Sequence, residues 1–283
     1  MLLPATLLIC LISVYPLVRG VMMSFMNYNL LKPDKIGFNG VDNYVRLFTR
    51  DKEFWGVLGF TFTYTLSVVV IAYVMGLVFA MLLNRDIKFR GLFRALILIP
   101  WIIPGAVAAT TWQWVLNDQF GLVNNVLQQL HIIDKPILFL ADKTITRLTV
   151  IWTGAWKSFP FMMITLLAGL QTIPDDLYEA AEIDGAGFWQ RFAHVTMPML
   201  KNVTATCTTL MFIWTFNSFD SIYLLTKGGP NNATYVLSIF TYYTAFMRSN
   251  LGYAAAISSI LLLVLLVFIT IYLSLLNRER DRV

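Results

Sequence analysis

Charge is scarce in this chain. Only 13% of its 283 residues are Asp, Glu, Lys or Arg, and 58% are hydrophobic, against roughly 25% and 45–50% in soluble domains. A compact water-soluble body still exposes much of its chain, so that balance excludes one at this length and turns the surplus apolar surface toward lipid. Cysteine is nearly absent. Cys10 and Cys207 both lie in apolar runs, which excludes a disulfide framework or a thiolate metal site and leaves each as a small core residue. The only histidines, His131 and His194, have no ligand-spaced partners, which argues against a metal centre. No Gly-x-x-x-x-Gly-Lys-Ser/Thr segment occurs, so the chain cannot itself cradle ATP phosphates. Gly-x-Ser-x-Gly, His-Glu-x-x-His and paired catalytic carboxylates are missing too, and their absence speaks against an intramembrane enzyme.

What is present is apolar length. A helix crossing roughly 30 Å of hydrocarbon needs about 20 mostly apolar residues. Six stretches meet this requirement: Leu2–Met26, Val57–Leu83, Leu92–Leu116, Leu148–Leu170, Val203–Thr226 and Leu251–Leu276. The expected fold is therefore an all-α integral membrane protein, one domain over residues 1–283 with six transmembrane helices. The first stretch lacks a basic leader and a small-residue cleavage site, so it reads as a span rather than a signal peptide. The chain opens directly in that run, and a charged amino-terminal tail is expected to precede it.

The net charge is +5, but no basic stripe interleaved with aromatics invites nucleic acid. The basic residues cluster at the ends of apolar runs, as interface anchors do. Arg85, Lys88, Arg90 and Arg94 follow the second span, and Arg278, Arg280 and Arg282 follow the sixth. The positive-inside rule then puts both clusters and both termini in the cytoplasm.

The connection at residues 171–202 is long and polar, and on this topology it is cytoplasmic. It reads as a helix with Thr172 as cap, Pro174 near the first helical position, and Asp175 and Asp176 in the first turn. Asp184-Gly185-Ala186-Gly187 then breaks it, a second short helix runs from Phe188 to about Val195, and Pro198 opens the fifth span. The result is a bracket of two short helices.

That bracket carries a resemblance. Glu179-Ala180-Ala181, Gly185 after three residues, and Val195-Thr196-Met197-Pro198 nine residues further on are similar to the EAA loop of ABC importer permease subunits. Val195 and Met197 stand where the family prefers Ile and Leu. The flanking Ile-Pro-Asp-Asp-Leu-Tyr and Ile-Asp-Gly-Ala-Gly resemble the carbohydrate branch. So do Phe38-Asn39-Gly40-Val41-Asp42-Asn43-Tyr44 and Leu224-Leu225-Thr226-Lys227-Gly228-Gly229-Pro230, the latter like the maltose-type first permease. The resemblance implies a non-catalytic permease subunit of a sugar or oligosaccharide importer in a bacterial-type inner membrane. Its implied partners are a second homologous permease, two ATP-binding subunits, an extracytoplasmic solute-binding protein and membrane lipid. ATP and magnesium would sit on the partner ATPases, with no cofactor in this chain. Glu179, Ala180, Ala181, Asp184, Gly185 and Pro198 would form the coupling loop.

Polar groups at membrane depth are the other signal. Lys157 and Asp220 are opposite charges in neighbouring spans, and they read equally as a structural ion pair or as part of the pathway. Trp152, Trp156 and Asn217 lie nearby. Counting from the EAA glutamate, the resemblance puts sugar contacts at Ser158, Phe161, Trp214, Thr215 and Ser218; the expected substrate set is those residues with Lys157 and Asp220. The competing reading is an ion-coupled secondary transporter, which would use Lys157 and Asp220 but leave the bracket without a purpose.

Overall fold

The computed structural model describes residues 3–280, and the side chains of Arg278 and Arg280, like all of Arg282, lie outside what it describes. The chain divides into two compact units, residues 1–61 with 235–283 and residues 62–234.

In the first unit, helix α1 covers residues 3–24 with a π-helical turn at Cys10–Val14. A two-stranded antiparallel ribbon follows, β1 (Met26–Asn27) on β2 (Gly37–Phe38), with Met26 opposite Phe38. Buried Asn43 in the short helix α2 (Asp42–Val45) ties that corner, its amide donating to the carbonyls of Ser24 (2.8 Å) and Met26 (2.9 Å). The long helix α3 (Lys52–Asn84) begins in this unit and continues into the other.

The second unit holds most of the remaining helices. They are α4 (Arg90–Ile102), α5 (Gly105–Val115), α6 (Leu122–Gln129), α7 (Lys143–Leu170), α8 (Asp175–Ile183), α9 (Phe188–Arg191), α10 (Met197–Phe216) and α11 (Asp220–Thr226). Helix α12 (Leu237–Tyr242) and the long α13 (Leu251–Arg280) return to the first unit, where α13 packs on α1. Gly252 is required where α13 starts against the ribbon, since a Cβ there would drive into the carbonyl oxygen of Met26 in β1.

Close helix approach needs small residues, because lipid supplies no hydrophobic drive between helices. At Gly76 of α3, a Cβ would lie 2.6 Å from Met162 Cβ and 2.8 Å from the Met163 backbone nitrogen, so glycine lets α3 touch α7 backbone to backbone. Gly169 serves the contact of α7 with α10, where a Cβ would meet Leu200 Cδ2 at 2.9 Å. Met162, Met163, Leu166 and Leu200 are fully buried around these crossings.

The expectation of an all-α membrane protein with six transmembrane helices is met in its coarser part, a mostly helical fold with apolar spans. Among the described residues four helices are long and apolar enough to cross a membrane, or five when the pair α4 and α5 counts as one. The stretch read as one span over Leu92–Leu116 bends by 92° between its halves. The cause is local: Ile103 precedes Pro104, is pushed to extended backbone (φ −60, ψ 131), and ends α4. The stretch read as Val203–Thr226 starts earlier, at Met197, and breaks after Phe216. Its apolarity is diluted by threonines whose hydroxyls bond back to the helix, such as Thr206 to Asn202 O (2.9 Å) and Thr209 to Ala205 O (2.7 Å).

Candidate functional site

Two regions of the second unit bring the candidate residues together. The first is a cavity of about 200 Å³ bordered by Lys157, Ser158, Trp214, Thr215 and Ser218, all expected from the sequence. Phe161 stands beside it, its ring 5.0 Å from Trp214 and 6.0 Å from Trp101. Tyr64, Trp101, Gly154, Met211 and Ser221 complete the lining and were not anticipated. The Tyr64 hydroxyl bonds with Ser218 and Ser221, and those two serine hydroxyls lie 3.0 Å apart. Gly154 makes room for this arrangement, because a Cβ there would come 2.7 Å from Tyr64 Oη. Tyr64 sits among Thr61, Thr63, Thr65 and Ser67, so its stretch carried a polar signal that the hydropathy reading passed over. Trp101 had a signal, since Pro100 and Pro104 bracket it and foretell a broken helix.

Lys157 is fastened to the bend. Its ammonium donates to Ile103 O at 2.7 Å and lies 3.4 Å from Pro100 O. These carbonyls close the last turn of α4, where the helix dipole leaves negative charge and no intrahelical partner. Asp220 is the exposed first residue of α11, and among the described residues no ion pair joins it to Lys157. The structure therefore brings Lys157 to the cavity wall and leaves Asp220 off it. Trp156 packs edge-on against Trp112 at 5.3 Å rather than bordering the cavity.

The second region is the bracket. Helix α8 starts after Pro174, which is its cap position, with Asp175 and Asp176 in the first turn where the dipole favours acids. Thr172 does not cap it; its hydroxyl donates to Gly169 O at 2.8 Å, closing the end of α7 instead. Glu179 and Ala180 are exposed and Ala181 half-buried. Asp184 ends the helix, and Gly185 takes φ +80, a left-handed conformation that glycine adopts without the Cβ penalty. The turn closes through Ala186 N to Ala181 O at 2.9 Å.

The second arm continues further than the sequence suggested. From Phe188 it runs through a π-helical turn at Phe192–Thr196 and on into α10, with Pro198 in that helix's first turn. Two contacts hold the arms together: Arg191 Nη1 to Glu182 Oε2 at 3.0 Å, and Tyr178 Oη to Thr196 Oγ1 at 3.0 Å. Ile183 and Trp189 project from it, 87% and 75% exposed.

The second unit thus carries a cavity walled by aromatic and hydroxyl side chains beside a broken helix, and an exposed bracket of two short helices. The chain belongs to the family described as binding-protein-dependent transport system inner membrane component, whose model matches residues 70–281. Among curated relatives it is similar to the trehalose/maltose transport system permease protein MalF of Thermococcus litoralis, 36% identical over 283 residues, with 99% of this chain and 94% of that protein covered. It is likewise 36% identical over 278 residues to the inner membrane ABC transporter permease protein YcjO of Escherichia coli, covering 98% and 91% of the two chains. Among solved structures it resembles a bacterial ABC transporter involved in the import of the acidic polysaccharide alginate, with a TM-score of 0.86, 24% identity, and 98% and 94% of the chains covered. That likeness speaks to fold. The chain is a permease subunit of an ABC importer.

Proposed function

We propose that the importer carries a sugar or oligosaccharide, and that the cavity beside the α4–α5 bend is this subunit's share of the route. The observation that carries this is the composition of the cavity wall. Trp101 and Trp214 offer flat apolar faces, while Tyr64, Ser158, Thr215, Ser218 and Ser221 offer hydroxyls. A saccharide presents C–H faces and hydroxyls, and a few convergent polar groups in apolar walls match it. The relatives with saccharide names support the same reading.

On this reading α10 makes a sixth crossing despite its threonines, both termini are cytoplasmic, and the bracket faces the cytoplasm. Glu179, Ala180, Ala181, Asp184 and Gly185 then dock on one of two separate ATPase chains, which hold ATP and magnesium. A second homologous permease completes the pathway. A solute-binding protein delivers substrate from outside, consistent with the alginate transporter solved with a pentasaccharide-bound periplasmic protein. ATP binding closes the ATPases, the brackets move together, and the cavity opens outward; hydrolysis resets it. This chain performs no covalent chemistry. An ion-coupled exchange would need Lys157 and Asp220 as a responsive pair, and Lys157 is instead engaged by backbone carbonyls.

The test is uptake into proteoliposomes holding the whole assembly and its binding protein. Radiolabelled maltotriose or a uronate trisaccharide should accumulate only with ATP inside, and an ionophore should leave uptake intact. Uptake that survives without ATP and collapses with the ionophore would overturn the reading.

A further inference from the structure

The bracket borders a second, very different furrow. It measures about 410 Å³ and is lined by Val74, Leu77, Val78, Met81 and Leu82 of α3, by Phe188, Trp189 and Phe192 of the bracket, and by Arg85 at one end. Val74, Val78 and Leu82 repeat every four residues, so they form one stripe along α3, and each is half-exposed. From Val74 to the helix end at Asn84 the stripe rises roughly 15 Å, about half the thickness of the hydrocarbon layer. On the topology proposed above, the furrow starts at the cytoplasmic membrane surface and descends toward mid-membrane.

We propose that this furrow is a specific site for one anionic phospholipid. Its depth excludes a soluble partner, which could reach only the Trp189 end. Its walls are those an acyl chain requires, apolar throughout, with Trp189 where an amphipathic ring prefers the interface. Its mouth supplies charge complementarity. Arg85 stands exposed at that end of the furrow, and Lys88 is exposed in the turn that follows, where Asp86 is paired with Arg90. Basic groups at the mouth of an apolar intramembrane furrow recognise anionic headgroups. Asp175, Glu179 and Glu182 line the polar cleft on the other side of Arg85, and Glu182 is engaged by Arg191. The lipid would wedge the bracket against α3, so headgroup charge would bear on how firmly the bracket is held.

Photoactivatable phosphatidylglycerol and phosphatidylcholine, each with a diazirine near the end of one chain, test this in native membranes carrying the full assembly. Labelled peptides are mapped by mass spectrometry. The expected result is at least fivefold heavier labelling of the 74–82 stripe by phosphatidylglycerol. Arg85→Ala should remove the preference, Arg85→Lys should keep it, and Val78→Trp should block labelling by filling the furrow. Equal labelling by both lipids, or a preference unchanged in Arg85→Ala, means ordinary boundary lipid and overturns the proposal. So does a benzophenone at position 78 that cross-links to a neighbouring protein chain instead of lipid. The Lys variant guards against misfolding being mistaken for loss of the site.

Discussion

Replacing Lys157 with methionine keeps the apolar stem and deletes the ammonium, which isolates what the cation does at the α4–α5 bend. The ammonium sits 2.7 Å from Ile103 O and 3.4 Å from Pro100 O, so only the first is a full-strength hydrogen bond. A bond from a charged donor contributes about 1.5–3 kcal/mol, and a cation at a helix carboxy-terminus adds about 0.3–1 kcal/mol. Two effects reduce the measured loss. Helices separated within a membrane still hold the lysine and find it other partners, which lowers such bonds to about 0.6–2 kcal/mol. Methionine also escapes the cost of a charge at membrane depth. We therefore expect about 1–2 kcal/mol against the bent arrangement, which is a shift of about 5- to 25-fold in its equilibrium.

Such a change is better seen in geometry than in melting temperature. Nitroxide labels at Leu96 of α4 and Val107 of α5, both about half exposed, would report the angle by pulsed electron resonance. The wild type should give one narrow distance, and Lys157→Met a broadened distribution with a longer component. Lys157→Arg, which can still donate to Ile103, should stay narrow. Superimposable distributions for the wild type and Lys157→Met would refute the clamp, because the proline-set backbone alone would then hold the bend.

Three further substitutions follow from the packing. Gly76→Ala places a methyl 2.8 Å from a backbone nitrogen that cannot yield, so thermal stability of the purified assembly should fall by about 1–3 kcal/mol. Gly169→Ala meets only side chains, Leu200 Cδ2 at 2.9 Å and the two Val203 methyls at 3.1 and 3.2 Å, and should cost less; a reversed ranking would contradict the backbone-contact account. Gly154→Ala displaces Tyr64 from Ser218 and Ser221, so uptake should show KM raised several-fold with the maximal rate and stability much less affected. Trp214→Ala removes one aromatic wall and should weaken saccharide binding measurably, as read by equilibrium dialysis; unchanged binding would remove this ring from the site.

The bracket was legible in the sequence because its chemistry is local. Asp175 and Asp176 at a helix start and Gly185 at a positive φ are demands of backbone and dipole that neighbouring residues alone impose. The cavity was half legible. Lys157, Ser158, Trp214, Thr215 and Ser218 advertise themselves as polar or amphipathic groups in apolar runs, whereas Tyr64 becomes a cavity residue only because Gly154 on another helix lets it approach. Hydropathy counted spans well where helices are unbroken, as in α3 and α13. It did not foresee the bend that Pro104 puts into a stretch of suitable composition or the break that ends α10 after Phe216. Lys157 shows the same limit: its charge was visible, but the carbonyls that engage it come from a fold-generated break nearly 60 residues away, at |i−j| of 54 and 57.

The most direct test of the importer account is ATP hydrolysis by whatever co-purifies with this chain, measured for the wild type, Glu179→Lys and Gly185→Asp. Glu179 lies on the exposed face of α8, and any side chain at φ +80 is strained by about 1–2 kcal/mol. The account predicts that an ATPase co-purifies with the wild type, that binding protein with saccharide stimulates it, and that each substitution abolishes either the stimulation or the association. An assembly without ATPase activity, or transport indifferent to both substitutions, would contradict it.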